Sequence, residues 1–344
     1  MRRSGKIGVA VAALGVLAFG GFKAFEHVAE GKARARLDAQ LADLGVAESV
    51  RYGAVTVSPF SRGVTVADLA YSEEGTVVWR IDRVEMADLA EDSQGLLRDA
   101  VVGVRGVHLA FAQWSKDCAE TGASCGYAAD AQEMLDNGVE ELLVDLDFAY
   151  HMDDAAKRLR LAGGLTLRNY VAFSTKLTVG GLSAATLRDV GVWGRDALQS
   201  GVPPMIAVAL FGQTVGKTIE KVELGDFGFT MTDLGGVRRH AEIHAKDTGD
   251  SRPVDDIVRE QVTAVQADIR TGTQPWMPPE FTETMAKALE PFAYQGKPLR
   301  IRTTAAAPLL LLQRGPAGLQ AGPDLADPAR LFQALAPKVD NAPL

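Results

Sequence analysis

The chain has few of the residues that usually reveal a function. Of its 344 residues, two are cysteines and four are tryptophans, and aromatic residues make up 7% of the sequence. Acidic residues number 44 against 36 Lys and Arg, which gives a formal net charge of −8. A surface with this surplus of negative charge does not attract the phosphates of nucleic acids. We therefore expect no nucleic-acid partner.

No catalytic motif is complete in this sequence. Gly212–Thr218 follows an apolar run and resembles a P-loop, but three residues instead of four separate its glycines, and Phe211 stands where the first glycine belongs. We interpret this segment as a helix or strand that ends in a Gly-rich turn. Ser183 has no G-x-S-x-G context. Asp145 and Asp147 alternate with apolar residues, which is typical of the solvated face of a strand rather than of an acid–base pair.

Two groups of potential metal ligands are also incomplete. His240, Glu242 and His244 are predicted to share one face of a strand, but HAEIH departs from the HExxH arrangement and no third ligand follows nearby. Cys118 and Cys125 lack both the CxxC spacing and the neighbouring histidine of a zinc site. We predict no metal, no cofactor and no catalytic residue, and hence a protein that is not an enzyme.

The N-terminal region contains an apolar run that can cross a membrane. Ile7–Phe22 is uncharged, with Lys6 and Lys23 at its ends. As a helix it spans roughly 24 Å, slightly less than a bilayer core of about 30 Å, and the flanking lysines can reach the interface. Basic residues precede it, as in signal peptides and signal anchors. We predict an uncleaved anchor; the alternatives are a cleaved signal peptide, with 33–35 as its small-x-small site, and a buried core helix.

The two cysteines indicate the compartment of the main body. Cys118 and Cys125 lie in the polar segment CAETGASC, which we interpret as a loop. Two cysteines close together in a loop suit a disulfide and an oxidising compartment; the alternative is a pair of free surface thiols. Basic residues on both sides of the anchor leave its orientation undecided, but large domains translocate largely regardless of flanking charge. We therefore place the body in the periplasm.

Composition and periodicity predict a β-dominated α+β fold. The chain is 47% apolar and contains 35 glycines and 15 prolines, as many short strands and turns require. Val55 and Val57, then Val64 and Val66, alternate as the two arms of a hairpin. We predict four segments: a cytoplasmic start and transmembrane anchor (1–22), a helical stalk (23–45), a periplasmic β-rich domain (46–312) and a Pro/Ala-rich, loosely attached tail (313–344).

The clearest alternation predicts a meander of three amphipathic strands in the middle of the chain. One face of each strand is apolar and the other polar, which favours a curved antiparallel sheet with one wet face. We predict that the apolar side chains form one surface that holds an apolar ligand. They are Leu142, Val144, Leu146, Phe148, Tyr150, Leu159, Leu161, Leu165, Leu167, Val171, Phe173 and Leu177.

The C-terminal third is predicted to contain a further hairpin and a few helices. Phe227, Phe229 and Met231 alternate, and Ala241–Ala245 is predicted as the returning strand. Apolar residues at helical spacing predict helices over 253–269 and near 279–290, the second ending at Pro291. KPLRIRTTA predicts a late strand, and 328–335 one short helix.

The sequence resembles a broad set of bacterial envelope proteins, of which the AsmA-like and YdgA-like proteins are examples. The resemblance rests on the N-terminal anchor, the opening VTVSPFSRGVTVADLAY, and the DLGGVRR segment followed by a helical pair and KPLRIRTTAAAP. It covers most of the chain. It implies a single inner-membrane anchor, a periplasmic body of repeated amphipathic strands, and no catalytic residues.

The function expected from these features is that of an inner-membrane-anchored periplasmic protein. We expect it to bind or shield a lipid or another apolar ligand in envelope maintenance, because an apolar sheet face must be covered by helices or by lipid. One alternative is a structural or scaffold protein of the envelope with a sealed core. Besides the membrane and lipid, other envelope proteins are candidate partners. A second is a secreted enzyme, which would need a convergent polar pocket.

Overall fold

A computed structural model describes residues 30–43, 45–58, 63–73, 76–91, 97–110, 139–189, 220–272, 276–304, 307–315 and 318–342. Three predictions fall outside these residues: the membrane anchor Ile7–Phe22, the pairing of Cys118 with Cys125, and the P-loop-like segment Gly212–Thr218. None of the helices in the described ranges combines the length and the apolar character needed to cross a bilayer.

The described chain is a β-dominated α+β protein with antiparallel strands and C-terminal helices, as predicted. The strands are β1 (Val50–Arg51), β2 (Val55–Ser58), β3 (Gly63–Glu73), β4 (Thr76–Glu91), β5 (Leu97–Ala110), β6 (Glu141–Asp153), β7 (Arg158–Leu167), β8 (Val171–Gly180), β9 (Lys221–Asp233), β10 (Leu299–Thr303), β11 (Leu309–Gly315), β12 (Gly318–Ala321) and β13 (Pro337–Asp340). The helices are α1 (Glu30–Asp43), α2 (Gly236–Thr248), α3 (Val254–Thr271), α4 (Pro279–Gln295) and α5 (Pro328–Leu335).

The described residues form two compact units. The first comprises those up to Glu91, Asp99–Ala149 and Gly164–Arg168, and the second comprises the described part of Asp92–Arg98, Tyr150–Gly163 and those from Asn169 onward. In the first unit the strand order is β1-β3-β4-β5-β6, with β2 also paired to β3. In the second unit β8, β9, β10 and β13 are neighbours in that order, and β11 pairs with both β9 and β12. Strand β5 and the meander strands β6 and β7 contribute residues to both units.

Left-handed residues interrupt the alternation of side chains in the first unit. Asp68 has a φ of 53°, and the buried residues on either side of it, Val66 and Leu69, are three positions apart instead of two. Asp88, with a φ of 52°, separates Met86 from Leu89 in the same way. Aspartate is one of the few residues that adopts this backbone conformation at modest cost. Each aspartate therefore returns the next apolar side chain to the buried face.

Helix α1 packs against β2 in the first unit. Its buried side chains, Ala33, Leu37 and Leu41, are spaced four residues apart and form one stripe along the helix. Arg34 lies over the ring of Tyr52, 5.3 Å from its centroid, and the hydroxyl of Tyr52 donates to Asp38. The described part of the segment predicted as a stalk is thus bound to the sheet along its length.

Helices cover one face of the sheet in the second unit. Ala241 of α2 packs with Ile257 and Val258 of α3. The buried side chain of Gln266 donates to the backbone oxygen of Ala286, at 2.9 Å, which ties α3 to α4. Helix α4 packs directly on the strands through Phe292 and its neighbours. The strand residues it contacts are Met231, Leu299, Ile301 and Val339.

The predicted strand over Ala241–Ala245 is wrong, since these residues lie within helix α2. Alternation of Ala241, Ile243 and Ala245 suggested a strand, but Val237, Ala241 and Ala245 also follow the helical spacing, and Ala241 is fully buried. Alanine strongly favours helix. The predicted strand face of His240, Glu242 and His244 therefore does not exist, and both histidines are exposed on the helix.

Two further C-terminal predictions need correction. Helix α4 continues past Pro291 to Gln295, because Phe292 is buried in the core and holds the last turn in place. The tail is not loosely attached: β13 pairs with β10, and Val339 is buried under α4. The side chain of Asn341 donates to the backbone oxygens of Ala288 and Pro298, at 3.1 and 2.9 Å. The predicted helices over 253–269 and 328–335 and the late strand at Leu299–Thr303 are confirmed.

Asn341→Ala tests the attachment of the tail. Loss of two partly buried hydrogen bonds should lower the free energy of unfolding by about 1–3 kcal/mol in urea denaturation. Gln333→Ala is the matched control, because this amide is exposed on α5 and makes no hydrogen bond within the described chain. Equal stability of Asn341→Ala and the wild type would mean that the Asn341 hydrogen bonds do not help to hold the tail.

Candidate functional site

The apolar face of the second unit is set by strand register. Phe173 of β8 is paired with Met231 of β9, and Met231 with Leu299 of β10. Directly paired residues point to the same side of a sheet, and the side alternates from one residue to the next. The rows Phe173–Met231–Leu299 and Thr175–Phe229–Ile301 therefore share one face. Helix α4 covers this face over Met231, Leu299 and Ile301.

Part of this face is not fully covered. Phe173, Leu177, Phe227 and Phe229 are half-buried, and Thr175 is exposed between them. The rings of Phe173 and Phe229 are 6.0 Å apart and tilted by 30°. We call these five residues the apolar window. No charged residue belongs to it, so its lining resembles that of a site for an apolar ligand.

Buried apolar residues close the two ends of the apolar window. On one side lie Val179, Val222 and Leu309, which are between 5% and 9% exposed. On the other lies the core under α4, which contains Leu299 at 5% exposure. Between the stretch of β9 that pairs with β10 and the stretch that pairs with β11, the hydroxyl of Thr303 accepts a hydrogen bond from the N–H of Phe227, at 2.9 Å. The apolar window is therefore bordered by buried, packed apolar residues.

The predicted ligand face is distributed over both units. In the first unit Val144 is buried and Leu146 is 37% exposed, while Leu142, Phe148, Leu165 and Leu167 are half-buried. In the second unit Tyr150 and Leu159 are buried, while Leu161, Val171, Phe173 and Leu177 are half-buried. β8 places its three predicted residues on one face, as alternation requires.

Three residues of the apolar window, Thr175, Phe227 and Phe229, were not predicted to belong to a ligand face. Phe227 and Phe229 were predicted to alternate in a strand, and β9 confirms this. The sequence did not indicate that β9 pairs with β8, because 40 residues separate Gly180 from Lys221. A pairing over that distance is fixed by tertiary structure rather than by a local turn.

The polar face of the first unit carries an ion-pair network. Arg168 donates two hydrogen bonds to Asp145, at 2.8 and 2.9 Å, and the N–H of Gly106 donates a third at 2.7 Å. Arg105 pairs with Asp147 and donates to the backbone oxygen of Leu146. Both aspartates were predicted on the solvated face; their ion pairs with Arg105 and Arg168 were not predicted.

The backbone at Gly106 makes this network possible. Gly106 has a φ of 64°, and a Cβ atom there would lie 2.1 Å from a carboxylate oxygen of Asp82. Only glycine fits both the left-handed conformation and the close approach of the Asp82 side chain. The glycine N–H is thereby directed at Asp145.

A histidine links three strands on the same face. His108 Nε2 lies 2.8 Å from Asp82 of β4, and Nδ1 lies 2.9 Å from Glu141 of β6. Its side chain is 11% exposed, and Arg80 lies within hydrogen-bonding distance of the ring. The two ring nitrogens face different carboxylates, so the imidazole and the two carboxylates do not converge on one point. Among the described residues no cluster of His, Cys, Asp and Glu is suited to a metal ion.

The fold and the apolar window together define a class of protein: a β-dominated α+β protein whose sheet presents an apolar face beside a layer of helices. Residues 164–342, which are 179 of the 344 residues, match the model of a family described as "Uncharacterized protein", and the chain belongs to this family. No curated protein matches the sequence. The matched region contains β8, β9 and α2 to α5, and hence the whole apolar window.

The ion pair of Asp145 predicts an acid dependence of stability. Hydrogen bonds from Arg168 lower the pKa of Asp145 despite its burial, and the Gly106 N–H adds to the effect. Because the pKa of Asp145 is lower in the folded protein than in the unfolded chain, the unfolded chain binds the proton more readily. The stability from Asp145 is therefore present above the unfolded pKa of about 4 and is lost as the pH falls through the lower folded pKa.

Asp145→Asn should lower the free energy of unfolding at pH 7 by about 1–3 kcal/mol and should flatten its decline below about pH 4. Urea denaturation at several pH values measures both effects. Glu140→Gln is the control, because Glu140 is exposed beside β6 and has no ion pair in the described chain. If Asp145→Asn keeps the acid slope of the wild type, the pairing with Arg168 does not stabilise the fold.

Proposed function

We propose that the protein binds or shields an apolar ligand, such as a lipid acyl chain, at the apolar window, without catalysing a reaction. One observation carries this proposal: Phe173, Leu177, Phe227 and Phe229 stay half-buried on a sheet face whose neighbouring residues are buried. Burial of apolar surface is favourable by about 25 cal/mol per Å². An apolar chain laid along β8 and β9 would gain this free energy, whereas a polar solute would not.

We further propose that Ile7–Phe22 is an uncleaved inner-membrane anchor and that the body lies in the periplasm. The uncharged run supports this, with lysines at both ends and basic residues before it. An anchor would hold the apolar window close to a supply of lipid. A membrane location would therefore suit a protein that binds a lipid acyl chain.

The test of the apolar window compares two phenylalanines. Phe292 is 7% exposed under the sheet, so Phe292→Ala should cost about 3–5 kcal/mol through lost transfer energy and a cavity. Phe229→Ala should cost much less, because part of the ring already contacts solvent. The purified wild type should carry lipid by mass spectrometry, and Phe229→Asp should fold but carry none.

A different combination of results would contradict ligand binding at the apolar window. If Phe229→Asp fails to fold, Phe229→Ala is as costly as Phe292→Ala, and the wild type carries no lipid, the face is sealed. The protein would then be a scaffold with a self-covered core.

The anchor and compartment have a separate test. The full chain should fractionate with inner membranes and begin at or near Met1 by N-terminal analysis. Cys118 and Cys125 should resist alkylation until they are reduced, as a disulfide in an oxidising compartment would. A chain that begins after Ala35, or two thiols that react without reduction, would contradict this placement.

A further inference from the structure

A row of basic residues crosses the sheet face opposite the apolar window. Lys176 of β8 is paired with Gly228 of β9, Gly228 with Arg302 of β10, and Arg302 with Lys338 of β13. Each member is adjacent in sequence to a residue that points to the helix-covered face. Because successive residues of a strand point to opposite sides, the four positions lie on the other face of the sheet. We call Lys176, Gly228, Arg302 and Lys338 the basic row.

The cations of the basic row are accessible. Lys176 and Lys338 are exposed and have no ion pair within the described chain, and the Arg302 side chain is 53% exposed. Arg302 lies 3.2 Å from Asp340, which is also 4.0 Å from Arg300. Of the four cations on this part of the face, the two arginines lie beside the same carboxylate. Asp226, at the bulge of β9, makes no ion pair with them.

This arrangement is unfavourable for the fold alone. Arg302 and Lys338 are directly opposite each other, and like charges in that position destabilise a strand pair. The chain as a whole carries 44 acidic residues against 36 basic ones. The strand register therefore concentrates positive charge locally on a protein whose net charge is negative. It is the pattern expected where an anion compensates the repulsion.

The middle of the basic row provides space for such an anion. A Cβ atom built on Gly228 would have no other atom within 4 Å. Lys176 and Arg302 stand two strand spacings apart, about 9–10 Å between backbones. Their long side chains can converge over the glycine. In the next row, the hydroxyl residues Ser174 and Thr230 are paired beside them.

We propose that the basic row binds a phosphate group over Gly228. The guanidinium of Arg302 offers a planar pair of donors that matches two phosphate oxygens, and the lysines supply point charges on either side. The phosphate can belong to a lipid headgroup or to a soluble phosphate compound. Because the basic row and the apolar window lie on opposite faces, this site is independent of the proposed apolar ligand.

The primary test is titration calorimetry of the full chain with inorganic phosphate. Lys176→Gln and Lys338→Gln should each weaken binding about tenfold, the loss expected for one charge-assisted contact. Lys297→Gln is the matched control: it removes the same charge from an exposed loop residue outside the basic row and should change the affinity less than twofold. Circular dichroism establishes that each variant folds.

Gly228→Val separates a defined site from general attraction. It fills the space over the glycine without changing any charge, in a conformation that a β-branched residue adopts readily. It should abolish phosphate binding while thermal stability is kept. Equal weakening by Lys297→Gln and Lys176→Gln, full binding by Gly228→Val, or no binding by the wild type at millimolar phosphate would each overturn the proposal.

A second titration distinguishes the two sources of phosphate. Dihexanoyl phosphatidic acid that binds more tightly than inorganic phosphate, with the gain lost in Gly228→Val, identifies a lipid headgroup. Equal affinities for the two compounds identify a soluble phosphate. Either result supports a phosphate site, provided that Lys297→Gln leaves it unchanged.

Discussion

The pairing of β8 with β9 is the constraint on which the second unit depends. Its register, Val171 to Asp233 through Leu177 to Phe227, decides which side chains meet in each row. Since side chains alternate along a strand, a shift by one residue would exchange the two faces completely. The phenylalanines would then point away from α4, and Lys176 would point into the core.

The extension of this pairing to β10 and β13 gives each face its chemistry. On one side, Leu299, Ile301 and Val339 complete an apolar surface that α4 covers in part. On the other side, Arg302 and Lys338 extend a row of positive charge. One hydrogen-bonded ladder therefore supports two surfaces of opposite character on opposite sides of the sheet, each suited to a separate ligand.

The first unit solves a different physical problem. In its long strands, some successive apolar residues are three positions apart in the sequence. With strict alternation, some of these residues would therefore point away from the buried face. Asp68 and Asp88 restore the match by adopting the left-handed conformation. On its polar face, charges are not simply solvated: Asp145, Arg168 and His108 link neighbouring strands through paired groups. Such pairs contribute more than isolated surface ion pairs, since Asp145 is only 17% exposed.

Local patterns in the sequence determined the class of fold and most of the elements. Strict alternation predicted β6, β7, β8 and β9, and apolar residues at helical spacing predicted α3. The pattern was ambiguous where both periods fit, as at Ala241–Ala245, where packing against α3 selected the helix. The cations of the basic row are also visible in the sequence, but nothing there shows that they are neighbours.

Tertiary structure alone decided which strands pair and what covers each face. Phe173 and Phe229 are 56 positions apart in the chain, and Lys176 and Lys338 are 162 apart, so no periodicity connects them. The sequence by itself determined that the strands have one apolar and one polar side, because that property is local. The apolar window and the basic row depend on long-range register, which is set by the packing of the whole sheet and its helices.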